Sequence, residues 1–145
     1  MSRDFETQKR IEEMACWRLE YITGRRFCLA PDEMSPFDML IQRFDNGVPV
    51  LEYLAEFRER PKILITTYPT IVLDVKKVTD IMACVEWFKL PGALYIVQFA
   101  DGTYWRTKLK PPYPIDPNFA RNTPLERDSP RAVYEIPSKD FRQFK

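Results

Sequence analysis

Residues 37–60 read FDMLIQRFDNGVPVLEYLAEFRER, two β-prone runs joined by an Asp-Asn-Gly turn. The Asn-Gly pair favours a tight hairpin turn because both residues readily adopt positive φ. The segment therefore predicts an antiparallel hairpin, with one strand at residues 37–43 and the other at residues 48–60.

The longer predicted strand carries charged side chains on one of its faces. Because side chains alternate across a strand, Glu56, Arg58 and Arg60 are expected on one side. Ala55 and Phe57 then belong to the other side. Glu56 and Arg58 should therefore project next to each other from the sheet.

The sequence on either side of this hairpin predicts two helices and further strands. Apolar residues at helical spacing indicate helices at about residues 5–23 and 74–89, the second one following a Thr67-Tyr68-Pro69 break. Strands are expected at residues 26–29, 93–99 and 103–109, the last two joined by Asp101-Gly102. This order predicts an α/β (α+β) fold with an αβββαβ core, in which helices flank a central mixed sheet.

The chain is expected to form a single domain, because 145 residues with 45% hydrophobic content supply one ordinary core. Residues 1–109 are predicted as the αβββαβ core, and residues 110–145 as a proline-rich extension packed on the same domain. Repeated prolines there disfavour helix and central strand. Only residues 131–136 are expected to add an edge strand, with Phe141 and Phe144 as anchors.

Composition excludes several classes of chemistry. The chain contains no histidine, which removes Ser/His and Cys/His nucleophile pairs and most zinc hydrolase sites. Carboxylates, Lys, Arg and Tyr remain, with or without a hard cation that prefers oxygen ligands. Because the net charge is only +1, nucleic-acid binding would need a local basic patch.

A membrane partner is not expected. The sequence has no run of about 18 consecutive apolar residues, the length that a spanning helix needs. The first residues, MSRDFETQKRIEEM, carry charges where a signal peptide would be apolar. These features predict a cytoplasmic protein.

One set of polar residues stands out on this scaffold: Pro36-Phe37-Asp38, Glu56-Phe57-Arg58 and Lys76-Lys77. Two carboxylates brought together by adjacent strands can hold Mg²⁺ through oxygen ligands. The pattern resembles the PD-(D/E)XK nuclease superfamily, whose core has this αβββαβ order. Its motif places an Asp on one strand and a (D/E)-x-K triplet on the hairpin partner. The segments 73–78 and 93–97 are similar to the helix and following strand of its small viral and Holliday-junction-resolvase-like members.

This resemblance implies a restriction-endonuclease-like fold and a Mg²⁺- or Mn²⁺-dependent deoxyribonuclease, an endonuclease or an exonuclease, with DNA as its partner. The catalytic residues carried over are Asp38, Glu56, Arg58 and Lys77. Asp38 and Glu56 would be the metal ligands, and Glu12 of the first helix would complete the site. The resemblance further implies a viral protein in the host-cell cytoplasm. It also implies a homodimer, because such nucleases often need two sites to cut a duplex.

Arg58 stands where the superfamily motif has Lys. Its guanidinium stays protonated, so it can clamp a phosphate or a carboxylate but does not act as a base. Three explanations stay open. Metal-bound water needs no side-chain base, Lys77 supplies the missing ammonium, or the site is inactive and the fold serves as a nucleic-acid-binding or protein-interaction module.

Local basic clusters are the candidates for nucleic-acid contact. Arg60, Lys76 and Arg26 are assigned this role because each lies in a short basic run. The run Tyr104-Trp105-Arg106-Thr107-Lys108 adds aromatic rings that can stack on bases or fill the packed face of a hairpin.

Each site residue also has an ordinary structural interpretation. Asp38 can cap a turn, and Glu56 with Arg58 can form an ion pair on a solvated sheet face. Glu12 can be a surface acid, and Lys77 can belong to a solvated helix start. If Asp38 and Glu56 prove distant, an unrelated α/β structural protein becomes the better interpretation.

Overall fold

The structure, a computed structural model, describes residues 5–119 and 131–145. Two helices are present, α1 (Phe5–Thr23) and α2 (Val75–Phe88). The strands are β1 (Arg26–Leu29), β2 (Met39–Asp45), β3 (Val48–Arg60), β4 (Thr70–Asp74), β5 (Gly92–Phe99), β6 (Tyr104–Lys108), β7 (Ile115–Phe119), β8 (Arg131–Pro137) and β9 (Arg142–Gln143). A short 3₁₀ helix, Ser138–Asp140, precedes β9.

The strands form two sheets. The larger sheet has the order β1-β2-β3-β5-β6-β9, and its β3 and β5 are parallel while its other neighbours are antiparallel. The smaller sheet has the antiparallel order β4-β8-β7. The predicted α/β (α+β) class, a mixed sheet accompanied by two helices, is confirmed.

The hairpin of β2 and β3 forms as predicted. Asn46 and Gly47 have φ values of 51° and 79°, the positive values that a tight turn between twisted strands requires. Met39 pairs with Ala55 and Asp45 with Val48, with one irregularity in register between Ile41 and Gln42. The turn therefore fixes which residues of the two strands are neighbours.

The two faces of the larger sheet have separate cores. On one face, Ala15 and Leu19 of α1 are fully buried in a cluster that includes Phe57. On the other face, Val78 and Ile81 of α2 are buried in a second cluster. Alternation along β3 divides its side chains between the two, because Ala55 and Phe57 belong to the α1 cluster and Leu54 belongs to the α2 cluster.

The smaller sheet was not predicted. β4 lies between the predicted break at residues 67–69 and the predicted second helix, where no strand was predicted. β8 was predicted as an edge strand but is the central strand, paired with β4 on one side and β7 on the other. β7 contains Pro117, which the sheet accommodates at an irregularity in register between Asp116 and Phe119.

The C-terminal residues pack on the elements that precede them. β8 pairs with β4, β9 pairs with β6, and the ring of Phe141 lies edge-on 5.9 Å from that of Tyr95. Residues 120–130 of the proline-rich extension lie outside the described residues, and the division at residue 109 stays a prediction. No helix in the described part of the chain is long and apolar enough to cross a membrane.

Candidate functional site

The candidate site lies where β2 begins and β3 continues beyond it. Met39 is the first residue of β2 and pairs with Ala55, so residues 56–60 of β3 pair with β5 alone. Asp38 stands at this boundary. Its N–H donates to the carbonyl of Ala55 (2.9 Å), and its Oδ2 accepts from the N–H of Phe57 (2.8 Å). The Asp38 carboxylate thus satisfies the first free N–H of β3, and this contact holds it beside Glu56.

Glu56 is a buried acid facing two cations. Its side chain is 2% exposed, with Arg58 Nη2 at 3.0 Å from Oε1 and Lys77 Nζ at 3.7 Å. Oε1 nevertheless accepts no hydrogen bond from the described residues, because the Arg58 N–H does not point at it and the Lys77 ammonium is too far away. We therefore describe these contacts as ion pairs. They exclude the interpretation of Glu56 and Arg58 as a pair on a solvated sheet face.

The carboxyl groups of Asp38 and Glu56 interact directly. Burial, the largest cause, and the negative charge of Asp38 together raise the pKa of Glu56 from 4.5 to about 8. Arg58 and Lys77 oppose that rise, while a hydrogen bond between the two carboxyls favours the protonated form. The two acids of the predicted motif are therefore in contact and not distant.

Glu12 approaches this cluster from α1. Burial raises the pKa of the Glu12 carboxyl, a hydrogen bond from Gln8 lowers it, and the charge of Asp38 raises it. Arg58 and Lys77 also act on it and lower its pKa. Gln8 Nε2 donates to Glu12 Oε2 at 2.8 Å. The half-buried Glu12 therefore interacts electrostatically with Asp38, Arg58 and Lys77.

Arg58 also interacts electrostatically with Asp74, an acid outside the predicted site. Burial lowers the pKa of Arg58, but Glu56, Asp38 and Asp74 outweigh this effect, so the pKa is raised. Asp74 is 6% exposed and lies 3.4 Å from Arg131 Nη1. Asp74 directly precedes α2, but its side chain makes no capping hydrogen bond to that helix.

The three residues assigned to nucleic-acid contact lie apart from the cluster or are engaged elsewhere. Lys76 forms an exposed ion pair with Asp80 along α2, at 2.7 Å. Arg26 is exposed on β1 opposite Gln42, further along β2 than the site. We find no contact that would place either cation beside Asp38 or Glu56 in the described residues.

Arg60 shares the Glu56 face of β3 but has a structural contact. Its Nη2 donates to the carbonyl of Val72 (3.4 Å) and to the hydroxyl of Tyr95 (3.5 Å). Tyr95 is fully buried and donates in turn to the Val72 carbonyl at 3.0 Å. Arg60 and Tyr95 therefore join β3 and β5 to β4, the strand that leads into α2.

The described residues contain no group of three or more Asp, Glu or Cys side chains arranged to hold a metal ion. Mg²⁺, however, is usually bound through one or two carboxylates together with water and substrate phosphates. Asp38 and Glu56 fit that requirement in donor type, and the buried Oε1 of Glu56 lacks a hydrogen-bond donor. The two strand carboxylates therefore suit a divalent cation, whereas Glu12 as a third ligand stays a prediction.

Glu56→Gln is expected to remove a pH dependence of stability. The folded state raises the Glu56 pKa above 4.5, so it binds a proton that the unfolded state releases. This stabilisation is complete below the unfolded pKa and is lost as the pH rises towards about 8. Relative to Glu56→Gln, the wild type should lose at most about 1.4 kcal/mol of unfolding free energy per pH unit in that window. Urea melts in EDTA at several pH values would measure it.

The difference between the two proteins reports the titration of Glu56 together with its coupling to the groups that face it, Asp38, Arg58 and Lys77, because the rest of the chain is common to both. Parallel stability curves for wild type and Glu56→Gln would show that Glu56 titrates near its ordinary pKa.

Because the chain matches no family model and no curated protein, its function is inferred from the geometry of the site. What the structure offers is a pair of contacting carboxyls on neighbouring strands, with Arg58 and Lys77 beside them. Charges of both signs in a partly buried setting are suited to binding and activating a polar substrate.

Proposed function

We propose that the protein is a metal-dependent nuclease that hydrolyses DNA phosphodiester bonds in the cytoplasm. The observation that carries this proposal is the direct interaction between the carboxyls of Asp38 and Glu56, with Arg58 and Lys77 at ion-pair distance from Glu56. The element order α1-β1-β2-β3-α2-β5, with β4 added before α2, and the pairing of β2 with β3 support it, because both are expected of a PD-(D/E)XK core.

In this proposal the strand carboxylates of Asp38 and Glu56 hold the cation. A bound Mg²⁺ or Mn²⁺ supplies charge neutralisation at the phosphate and lowers the pKa of a water ligand. Arg58 remains protonated throughout and stabilises negative charge on the phosphate oxygens. Lys77 is 43% exposed, so its ammonium can reach a substrate outside while it stays near Glu56.

A second candidate function is a nucleic-acid-binding or protein-interaction module that has lost catalysis. The observation that favours it is the ion pair between Arg58 and Glu56, because a guanidinium already bound to the carboxylate competes with a metal ion for that oxygen. The two candidates differ in whether an added divalent cation displaces this contact.

The experiment that tests the proposal is cleavage of supercoiled, linear, single-stranded and branched DNA in the presence of Mg²⁺ or Mn²⁺. We expect cutting of at least one substrate and its complete loss in EDTA, because hydrolysis then lacks its Lewis acid. RNA of matched sequence would show whether cleavage requires deoxyribose. A folded wild-type protein that cuts none of these substrates with either metal would contradict the nuclease and favour the inactive module.

Arg58→Lys adds an arm to the same experiment. The variant places Lys where the (D/E)-x-K motif has it. A lysine ammonium is a compact charge that makes fewer contacts with the Glu56 carboxylate than a guanidinium does. Cleavage by Arg58→Lys but not by wild type would identify the ion pair as the cause of inactivity. Cleavage by both the wild type and Arg58→Lys would show that either cation at position 58 supports the reaction.

A further inference from the structure

The solvent-facing side of α1 carries two prominent aromatic side chains. Trp17 is 71% exposed and Tyr21, one turn further along the helix, is 92% exposed. Arg18 lies between them in sequence and is also exposed. Residues four apart on a helix are neighbours, and contiguous exposed apolar side chains, unlike single ones, are typical of an interaction surface.

Two adjoining pockets lie beside these rings. A pocket of about 820 Å³ is lined by Trp17, Tyr21 and Arg18, and a second of about 670 Å³ lies further along the surface. Ile22, Gln143 and Phe144 line both pockets, so the two pockets share a wall. We call this combined surface the α1 track.

The second pocket of the α1 track is basic. Its lining includes Arg106, Lys108, Arg142 and Lys145, and these cations outnumber Asp140, its one described acid. Arg25 also lines it but is paired with Glu52 at 2.7 Å.

Two of these cations lie against aromatic rings. The Arg106 guanidinium sits 4.6 Å above the Phe144 ring, and Lys108 Nζ is 6.0 Å from the Tyr53 ring. Neither contact neutralises the positive charge, so both cations remain available to an anion. Arg142 donates to the backbone carbonyls of Lys139 and Phe141, which also leaves its charge uncompensated.

We propose that the α1 track binds single-stranded nucleic acid. Bases would stack on the exposed rings of Trp17 and Tyr21, and phosphates would bind in the basic pocket. A single strand is the form that this arrangement suits, because its bases expose their faces, whereas a duplex hides them. The exposed aromatic rings suit the bases of a single strand, and the uncompensated cations suit its phosphates.

The α1 track is separate from the acidic cluster. Trp17 and Tyr21 lie five and nine residues beyond Glu12 on the same helix, roughly 8 and 14 Å along its axis at about 1.5 Å per residue. Binding at the track therefore goes beyond the proposed cleavage and does not require it. The proposed binding and the proposed cleavage can therefore be tested separately. A binding assay in EDTA does this, because metal-dependent cleavage is absent there.

Fluorescence anisotropy with labelled oligothymidine and oligouridine tests this inference. Trp17→Ala and Tyr21→Ala should each weaken binding by roughly 5-fold to 100-fold, the effect expected for one stacked base. Lys108→Gln and Arg142→Gln should weaken binding and reduce its salt dependence, by about 0.7 in logarithmic slope for each phosphate that the variant no longer neutralises. A duplex of matched length should bind more weakly than either single strand.

The matched control is Trp87→Ala, which removes an equally large ring, 82% exposed, from α2 outside the track. It should leave the affinity for single strands unchanged. Equal effects of Trp87→Ala and Trp17→Ala, or no binding of either oligonucleotide by wild type, would overturn the inference. So would a dimer in light scattering that Trp17→Ala dissociates without any change in oligonucleotide affinity, because the face would then serve self-association.

Discussion

Glu56→Gln is expected to lower metal-dependent cleavage by at least about 10²–10³-fold, the loss typical of removing one electrostatic group from an active site. The amide keeps the shape of the side chain but removes the negative charge that would hold a divalent cation. Asp38→Asn should act in the same way, since its remaining oxygen can still accept from the Phe57 N–H. The cleavage rate under saturating Mg²⁺ would measure both effects.

Glu59→Gln supplies the matched control for this prediction. Glu59 lies on the same strand, three residues beyond Glu56, and projects from the opposite face. Its substitution should leave the rate unchanged within about twofold, as expected for a residue outside the site. Wild-type rates in Glu56→Gln, with melting curves showing intact folding, would remove Glu56 from the site. Equal losses of cleavage rate in Glu56→Gln, Asp38→Asn and Glu59→Gln would indicate that any lost negative charge lowers the rate, and not a specific role of the site.

The contact between Asp38 and Glu56 was predictable because it depends on local features. The Asn46-Gly47 turn fixes the hairpin, and the hairpin register brings the start of β2 beside the middle of β3. Alternation along β3 then assigns Glu56 and Arg58 to one face. Each of these steps uses residues close together in sequence, for which turn chemistry and periodicity are reliable guides.

The smaller sheet was not predictable by the same means. β4 is a run of five residues whose partner, β8, lies more than fifty residues further along the chain. A short apolar run without alternation does not reveal its partner, and it can equally be taken for the start of a helix. For this reason nothing in the sequence indicated the burial of Asp74 or its contact with Arg131.

The basic residues show a second limit. Arg26, Arg60 and Lys76 belong to short charged runs in the sequence, but they are dispersed in the fold. One donates to a backbone carbonyl, another pairs with Asp80, and the third is exposed on β1. The basic pocket is lined instead by Arg106 and Lys108 of the predicted run 104–108, together with Arg25, Arg142 and Lys145.

Phe57→Ala is expected to destabilise the protein by about 3–5 kcal/mol, the usual cost of removing a buried phenylalanine ring. Phe57 is fully buried in the α1 cluster, with its ring centroid 6.5 Å from that of Tyr104. A protein with about 5–15 kcal/mol of total stability loses a large share of it in this way. The melting temperature should fall by roughly 10 °C, as about 2–4 °C per kcal/mol implies. Thermal and urea unfolding would measure both quantities.

Phe44→Ala is the control for that measurement, because Phe44 is the same residue type on the partner strand but is 50% exposed. It should cost less than about 1 kcal/mol, since much of its ring is already in water. Equal losses in the two variants would contradict the assignment of Phe57 to the core. A large loss in Phe57→Ala alone would show that Phe57 anchors the sheet to α1, on the face of β3 opposite to Glu56.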